Sequence, residues 1–145
     1  MASTRDQPAR PEVVHRVVDL ESQIRAPRYA RHVLKDVLEE KKLLSASEEK
    51  IRDQAHAALL VVSELVTNAC RHATGPREMR LIWHGRVLLI EVDDASGMFP
   101  AVVPDAARGP DGGYGLGLVE ELVDGWDVLP NSEGKTVQVS MEFPQ

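Results

Sequence analysis

The chain has 145 residues, 43% hydrophobic and 28% charged, proportions that suit one globular domain with a single core. Its formal net charge of −6 argues against a nucleic-acid binder, which presents a basic face, and its single cysteine, Cys70, excludes an intrachain disulfide and points to a reducing compartment. The polar start has no apolar h-region, and the longest apolar run, Ala57 to Val62, is too short to span a bilayer, so a cytoplasmic protein without nucleic-acid or membrane partners is expected.

Residues 1–12 read as a disordered arm and 13–145 as one domain. Val13 to Ile24 mixes β-branched and polar residues with imperfect alternation and reads as a strand. Ala26 opens a helix, with Pro27 in its first turn where a missing N–H is harmless. Ala30, Val33, Leu34, Val37 and Leu38 follow the helical period, and Lys41 and Lys42 stand where cations suit a helix C-terminus. Ser45 to Glu48 has the spacing of a capping box and starts a second, longer helix with Leu59, Val62, Val66, Ala69 and Ala73 as its apolar stripe. Gly75-Pro76 ends it.

Two strands follow, Met79 to a turn at Gly85-Arg86 and Val87 to Asp94, close enough in sequence for an antiparallel hairpin. Residues 95–115 show no helical or strand period and are rich in glycine and proline. Loops of this length are uncommon inside compact domains and are often functional lids. Leu116 to Val123 reads as a short helix, and "WDVLP" and "TVQVSMEF" as two closing strands joined by "NSEG". Adjacent strand pairs with helices set apart predict an α+β two-layer sandwich: one mixed, mostly antiparallel sheet covered on one face by about three helices.

Three stretches carry chemistry. In "SELVTNACRHA", Glu64, Asn68 and His72 recur every four residues and share one face of the long helix. An amide oxygen and a carboxylate there suit a hard cation such as Mg²⁺ and a proton-accepting base; a solvated polar face is the simpler alternative. In "IEVDDASGMFP", a strand ends in Asp93-Asp94, where a carboxylate can accept from the amino group of a base or serve only to form the turn. In "GPDGGYGLGLVEELV", Gly113, Gly115 and Gly117 alternate into a helix start, the outline of a phosphate site or of a plain hinge. A dinucleotide fingerprint needs a strand directly before its glycines and is a weak match. "GKT" at Gly134 to Thr136 is not a P-loop, because Leu129 stands where the first glycine belongs and a strand pattern follows.

The order helix with Glu64 and Asn68, strand ending in acid, long loop, alternating glycines, helix resembles the Bergerat-fold (GHKL) ATPases. "APRYARHVLKDVL", "VVSELVTNACRHA", "GGYGLGLVEELVDGWDV" and "GKTVQVSMEF" resemble the anti-sigma-factor serine/threonine kinases and their stand-alone relatives, over roughly Val14 to Phe143. The resemblance implies ATP and Mg²⁺ as ligands. It implies Asn68 as the Mg²⁺-coordinating residue and Glu64 as the carboxylate that activates an acceptor hydroxyl. Asp94 becomes the adenine-reading acid, with Ser96 beside it. Gly113, Gly115 and Gly117, with Leu116 between them, become a glycine box around the triphosphate, and Thr136 a threonine near the adenine pocket. It also implies a sigma factor and a STAS-type anti-anti-sigma protein as partners, and a possible homodimer.

One departure stands out: the family pattern Asp-x-Gly-x-Gly is here Asp94-Ala95-Ser96-Gly97-Met98, which adds bulk beside the base and lowers the expected nucleotide affinity. A non-catalytic module of the same fold is therefore the second expectation. A histidine-kinase fragment is the third. It needs a phospho-accepting histidine on a helical hairpin, which neither His15, in a strand, nor His32, on a short helix, provides.

Overall fold

The computed structural model describes residues 13–71, 75–95 and 114–144. The N-terminal arm, His72, Ala73, Ser96, Gly113 and most of the expected 95–115 lid lie outside the described residues. In chain order the elements are β1 (Val13–Asp19), α1 (Ala26–Glu40), α2 (Glu49–Cys70), β2 (Pro76–His84), β3 (Val87–Asp94), α3 (Tyr114–Leu122), β4 (Gly125–Pro130) and β5 (Lys135–Glu142). The strands form one sheet in the order β1-β2-β3-β5-β4, and every described pairing is antiparallel, so the expected mixed component is not present among them. β5 inserts between β3 and β4, which makes β4 an edge strand. No described helix is long and apolar enough to cross a membrane.

Strand alternation divides the sheet into two chemically distinct faces. Leu88, Ile90 and Val92 of β3 and Val137, Val139 and Met141 of β5 point inward with Met79 and Leu81 of β2. Against them lie Leu34, Val37 and Leu38 of α1 and Val61, Val62, Leu65 and Val66 of α2, all buried. α2 is the central helix: it packs on α1, on α3 and on β2, β3 and β5. The other sheet face is polar, and Val17 on its edge strand is 58% exposed. At the rim, Trp83 stacks at a tilt on Phe143 with ring centroids 4.8 Å apart, and the Lys41 ammonium lies 5.0 Å from the Trp83 ring centre.

Several boundaries differ from the sequence reading, each for a local reason. β1 stops at Asp19 rather than running to Ile24, because the Asp19 carboxylate accepts from Glu21 N–H at 2.9 Å and Ser22 Oγ at 3.0 Å and turns the chain. α1 closes through Lys42, in the left-handed region at φ 59°. Lys42 N–H donates to Glu39 and Leu43 N–H to Leu38, the bond pattern of a Schellman motif with lysine in the place glycine usually takes. The capping box at Ser45 to Glu48 does not form: α2 begins at Glu49 with Glu48 as a cap that makes no side-chain bond. Arg52 instead folds the preceding turn down by donating to the Ala46 and Ser47 carbonyls at 2.6 and 2.9 Å.

The α2 stripe is also broader than expected. Ala55, Ala58, Val61 and Leu65 are buried and Leu59 only partly so, since this helix meets neighbours on three sides. The helix ends at Cys70, and Pro76 opens β2 instead of closing α2, a strand-start position where its missing N–H is tolerated. Gly85, at φ 61°, supplies the positive φ that the tight β2–β3 hairpin requires.

Candidate functional site

α2 carries the first two groups. Glu64 and Asn68 lie four residues apart, about 6 Å along the axis, on a half-buried flank beside the packed stripe. Both polar ends can therefore reach a ligand without disturbing the core. His72, the third member of the row, lies beyond the described end of this helix.

The end of β3 supplies the acid. Two neighbouring aspartates must point to opposite sides of the sheet. Asp94 falls in phase with Leu88, Ile90 and Val92, so its carboxylate lies on the helix-covered face, 3% exposed. Asp93 falls on the outer face. There Arg80 binds it in a two-pronged contact at 2.7 Å on each oxygen while also donating to Glu91 at 2.8 Å and Glu78 at 2.6 Å. Burial pulls the Asp93 carboxyl upward, but the bonds from Arg80 and Thr136 and the Arg80 charge outweigh it and hold the group below the ordinary carboxylate value. Arg80 is correspondingly pushed above its ordinary value, chiefly by its bonds to Asp93. Of the two acids, Asp94 is the one on the helix-covered face.

Thr136 is placed differently from the sequence expectation. It sits opposite Asp93 in the β3–β5 register, and its hydroxyl donates to Asp93 Oδ1 at 2.5 Å and accepts from Asn131 Nδ2 at 3.1 Å. Its hydroxyl thus pairs with Asp93 on the outer face rather than with Asp94, although both aspartates, Asn131 and Thr136 line one cavity of about 510 Å³ at this end of the sheet. The residue that does meet Asp94 is Lys135, its register partner, which neither the P-loop comparison nor the family resemblance of "GKTVQVSMEF" singles out. The Lys135 ammonium lies 3.1 Å from each Asp94 oxygen, and the lysine side chain is 1% exposed. The signal was available: Lys135 continues the inward phase of Val137, Val139 and Met141.

Gly134 holds this corner together. A Cβ there would overlap the Asp94 carbonyl oxygen and stand 2.7 Å from Cα and C of Ala95. The β4–β5 turn thus passes directly over the end of β3, and only glycine permits the approach. Gly134→Ala is expected to lower stability by about 1–3 kcal/mol in chemical denaturation. Amide shifts for Asp94 and Ala95 should move with it, and an unshifted spectrum would contradict the contact.

The glycine-rich stretch also differs in detail. α3 begins at Tyr114, so Gly115, Leu116 and Gly117 lie inside its first turn rather than in the loop before it, and Gly113 lies outside the described residues. Backbone N–H groups in a first helical turn lack intrahelical acceptors, which keeps this segment chemically apt for an anion.

The model of the histidine kinase-like ATPase domain matches residues 20–141. The chain belongs to that family. Among solved structures it is similar to the crystal structure of the RsbU and RsbW domains of Rv1364c from Mycobacterium tuberculosis, at 18% identity and a TM-score of 0.62. The match covers 92% of this chain and 33% of that one, so the chain spans about a third of its structural neighbour, and the likeness bears on the fold. A search of curated proteins returns no significant match.

Within a histidine kinase-like ATPase domain, the donor chemistry found here fits a nucleotide with a hard cation. Asn68 offers a neutral amide oxygen, Glu64 a carboxylate, and Asp94 a shielded acceptor on the same covered side of the sheet. The Lys135 contact occupies this Asp94 corner.

Proposed function

We propose that the chain is an ATP- and Mg²⁺-binding protein kinase that transfers the γ-phosphoryl group to a serine of a partner protein. The observation that supports the reading is the phase of β3: it sends Asp94, not Asp93, to the face of the sheet covered by α2, the helix that carries Glu64 and Asn68. Asp94 receives the amino group of the base. Asn68 holds the cation, which neutralises phosphate charge when bound. Glu64 orients the acceptor hydroxyl and takes up its proton as the serine oxygen bonds to phosphorus and the bond to the β-phosphate oxygen breaks. Positioning and charge neutralisation carry most of such a transfer, so few residues suffice.

By resemblance, the partners are a sigma factor and a STAS-type anti-anti-sigma protein, and phosphorylation controls transcription by changing which partner is held. A basic groove offers a surface for protein partners. Arg25, Arg28, Arg31 and Lys35, with the half-exposed Tyr29, line a groove of about 790 Å³ along α1 on an otherwise acidic chain. A homodimer fits the same reading.

A pull-down with and without ATP·Mg²⁺, followed by phosphosite mapping, tests the proposal. Phosphoserine on a captured protein, dependent on Mg²⁺ and lost in Asn68→Ala, is the expected result. Acid-labile phosphohistidine on this chain would instead support the histidine-kinase reading. The buried Asp94–Lys135 contact favours a second reading, a module of the same fold that binds nucleotide weakly and transfers nothing. ATP affinity beyond millimolar with no labelled transfer would establish it.

A further inference from the structure

Asp94 is the acid that the proposed function assigns to the base, yet a neighbouring strand has already brought a cation to it. Lys135 faces Asp94 across the β3–β5 pair, and its ammonium is 3.1 Å from both carboxylate oxygens, so neither oxygen is clear of the positive charge. Both side chains are almost wholly withdrawn from water, at 1% and 3% exposure. An ammonium adds the attraction of two opposite full charges to its hydrogen bond with a carboxylate, which a neutral amino group does not. The amino group of a purine is the neutral kind. In a direct contest for the same oxygens, the lysine prevails.

Asp94 also has little freedom to avoid that contest. Gly134 lies so close to the Asp94 carbonyl and to Ala95 that the backbone at the end of β3 is confined between its neighbours. Any rearrangement that admits a base must come from the lysine, whose four-carbon stem can pivot, rather than from the aspartate.

We propose that Lys135 sets the nucleotide affinity of this chain by competing with the amino group of the base for the Asp94 carboxylate. The inference rests on the reading of Asp94 as the base-binding acid. It makes the chain a weak ATP binder whose affinity rises when the ammonium is removed but a hydrogen-bond donor to Asp94 is kept. Two variants of the full chain meet that condition. Lys135→Thr leaves a hydroxyl on a β-branched side chain suited to a strand. Lys135→Gln leaves a neutral amide of nearly the same reach, and serves if the shorter side chain fails to fold.

Calorimetric titration with ATP·Mg²⁺ reads the outcome. Each folded variant is expected to bind ATP roughly tenfold or more tightly than the parent, and adding Asp94→Asn to either should abolish the gain. A parent that binds ATP as tightly as both variants, or more tightly, overturns the role of Lys135 while leaving the nucleotide reading in place. A gain that survives Asp94→Asn overturns it too, because the effect would not run through that carboxylate. Absence of binding by the parent and by both folded variants overturns this inference together with the reading on which it rests.

Discussion

Glu64→Ala is expected to reduce phosphoryl transfer to the partner serine by about 10²- to 10⁴-fold, the usual contribution of a positioned general base, while ATP affinity stays near that of the parent. The separation follows from where Glu64 sits. It lies on the half-buried flank of α2, outside the packed stripe of Val61, Val62, Leu65 and Val66, so truncating it removes a functional group without opening the core. Alanine is also the strongest helix former, which keeps α2 intact. Single-turnover transfer of labelled phosphate and a parallel binding titration measure the two quantities. Glu64→Gln refines the result, since an amide can orient a hydroxyl but cannot take its proton at neutral pH. Transfer unchanged in the alanine variant would remove Glu64 from the mechanism.

Arg80→Met should be the most damaging single change on the outer sheet face, by about 2–4 kcal/mol at neutral pH. Arg80 joins Glu78, Glu91 and Asp93, carboxylates on two strands, and its side chain and that of Asp93 are each only 20% exposed. Without the guanidinium, three acids share a half-buried patch, and burial then pushes Asp93 up rather than being overruled. The pH dependence has a definite sign. Asp93 is held below its ordinary value in the folded state, so its stabilising contribution is fully present above about pH 4 and is lost as pH falls through the depressed folded value. The gap in urea midpoint between parent and Arg80→Met is therefore expected to be wide at pH 7 and to narrow below about pH 4. A gap that stays constant into acid would show that packing, not charge, is what Arg80 contributes.

Much of the architecture was legible in the residues because helical and strand periods are local. The apolar spacing from Ala30 to Leu38 marked α1, and the alternation in "VLLIEVDD" and "TVQVSMEF" marked β3 and β5. Boundaries were less legible because they depend on competition among nearby polar groups. Ser45 to Glu48 has the spacing of a cap, yet Arg52 takes the turn by bonding its carbonyls, and Asp19 ends β1 earlier than the β-branched pattern implied. The same alternation that identified β5 also contained the answer for Thr136 and Lys135. Their phase put lysine inward and threonine outward, but phase has meaning only once the buried face of the neighbouring strand is known.

The amino-acid sequence by itself determined the element types and their order, the α+β class, and which of two adjacent acids shares a face with the apolar residues of β3, since all of these follow from short-range periodicity. Tertiary structure alone decided which groups became neighbours: that β5 lies between β3 and β4, that every described strand pair is antiparallel, and that an ammonium 41 residues away reaches Asp94. Strand order and register arise from long-range pairing that buries one face of the whole sheet at once, and no local pattern encodes which strand a given edge will accept.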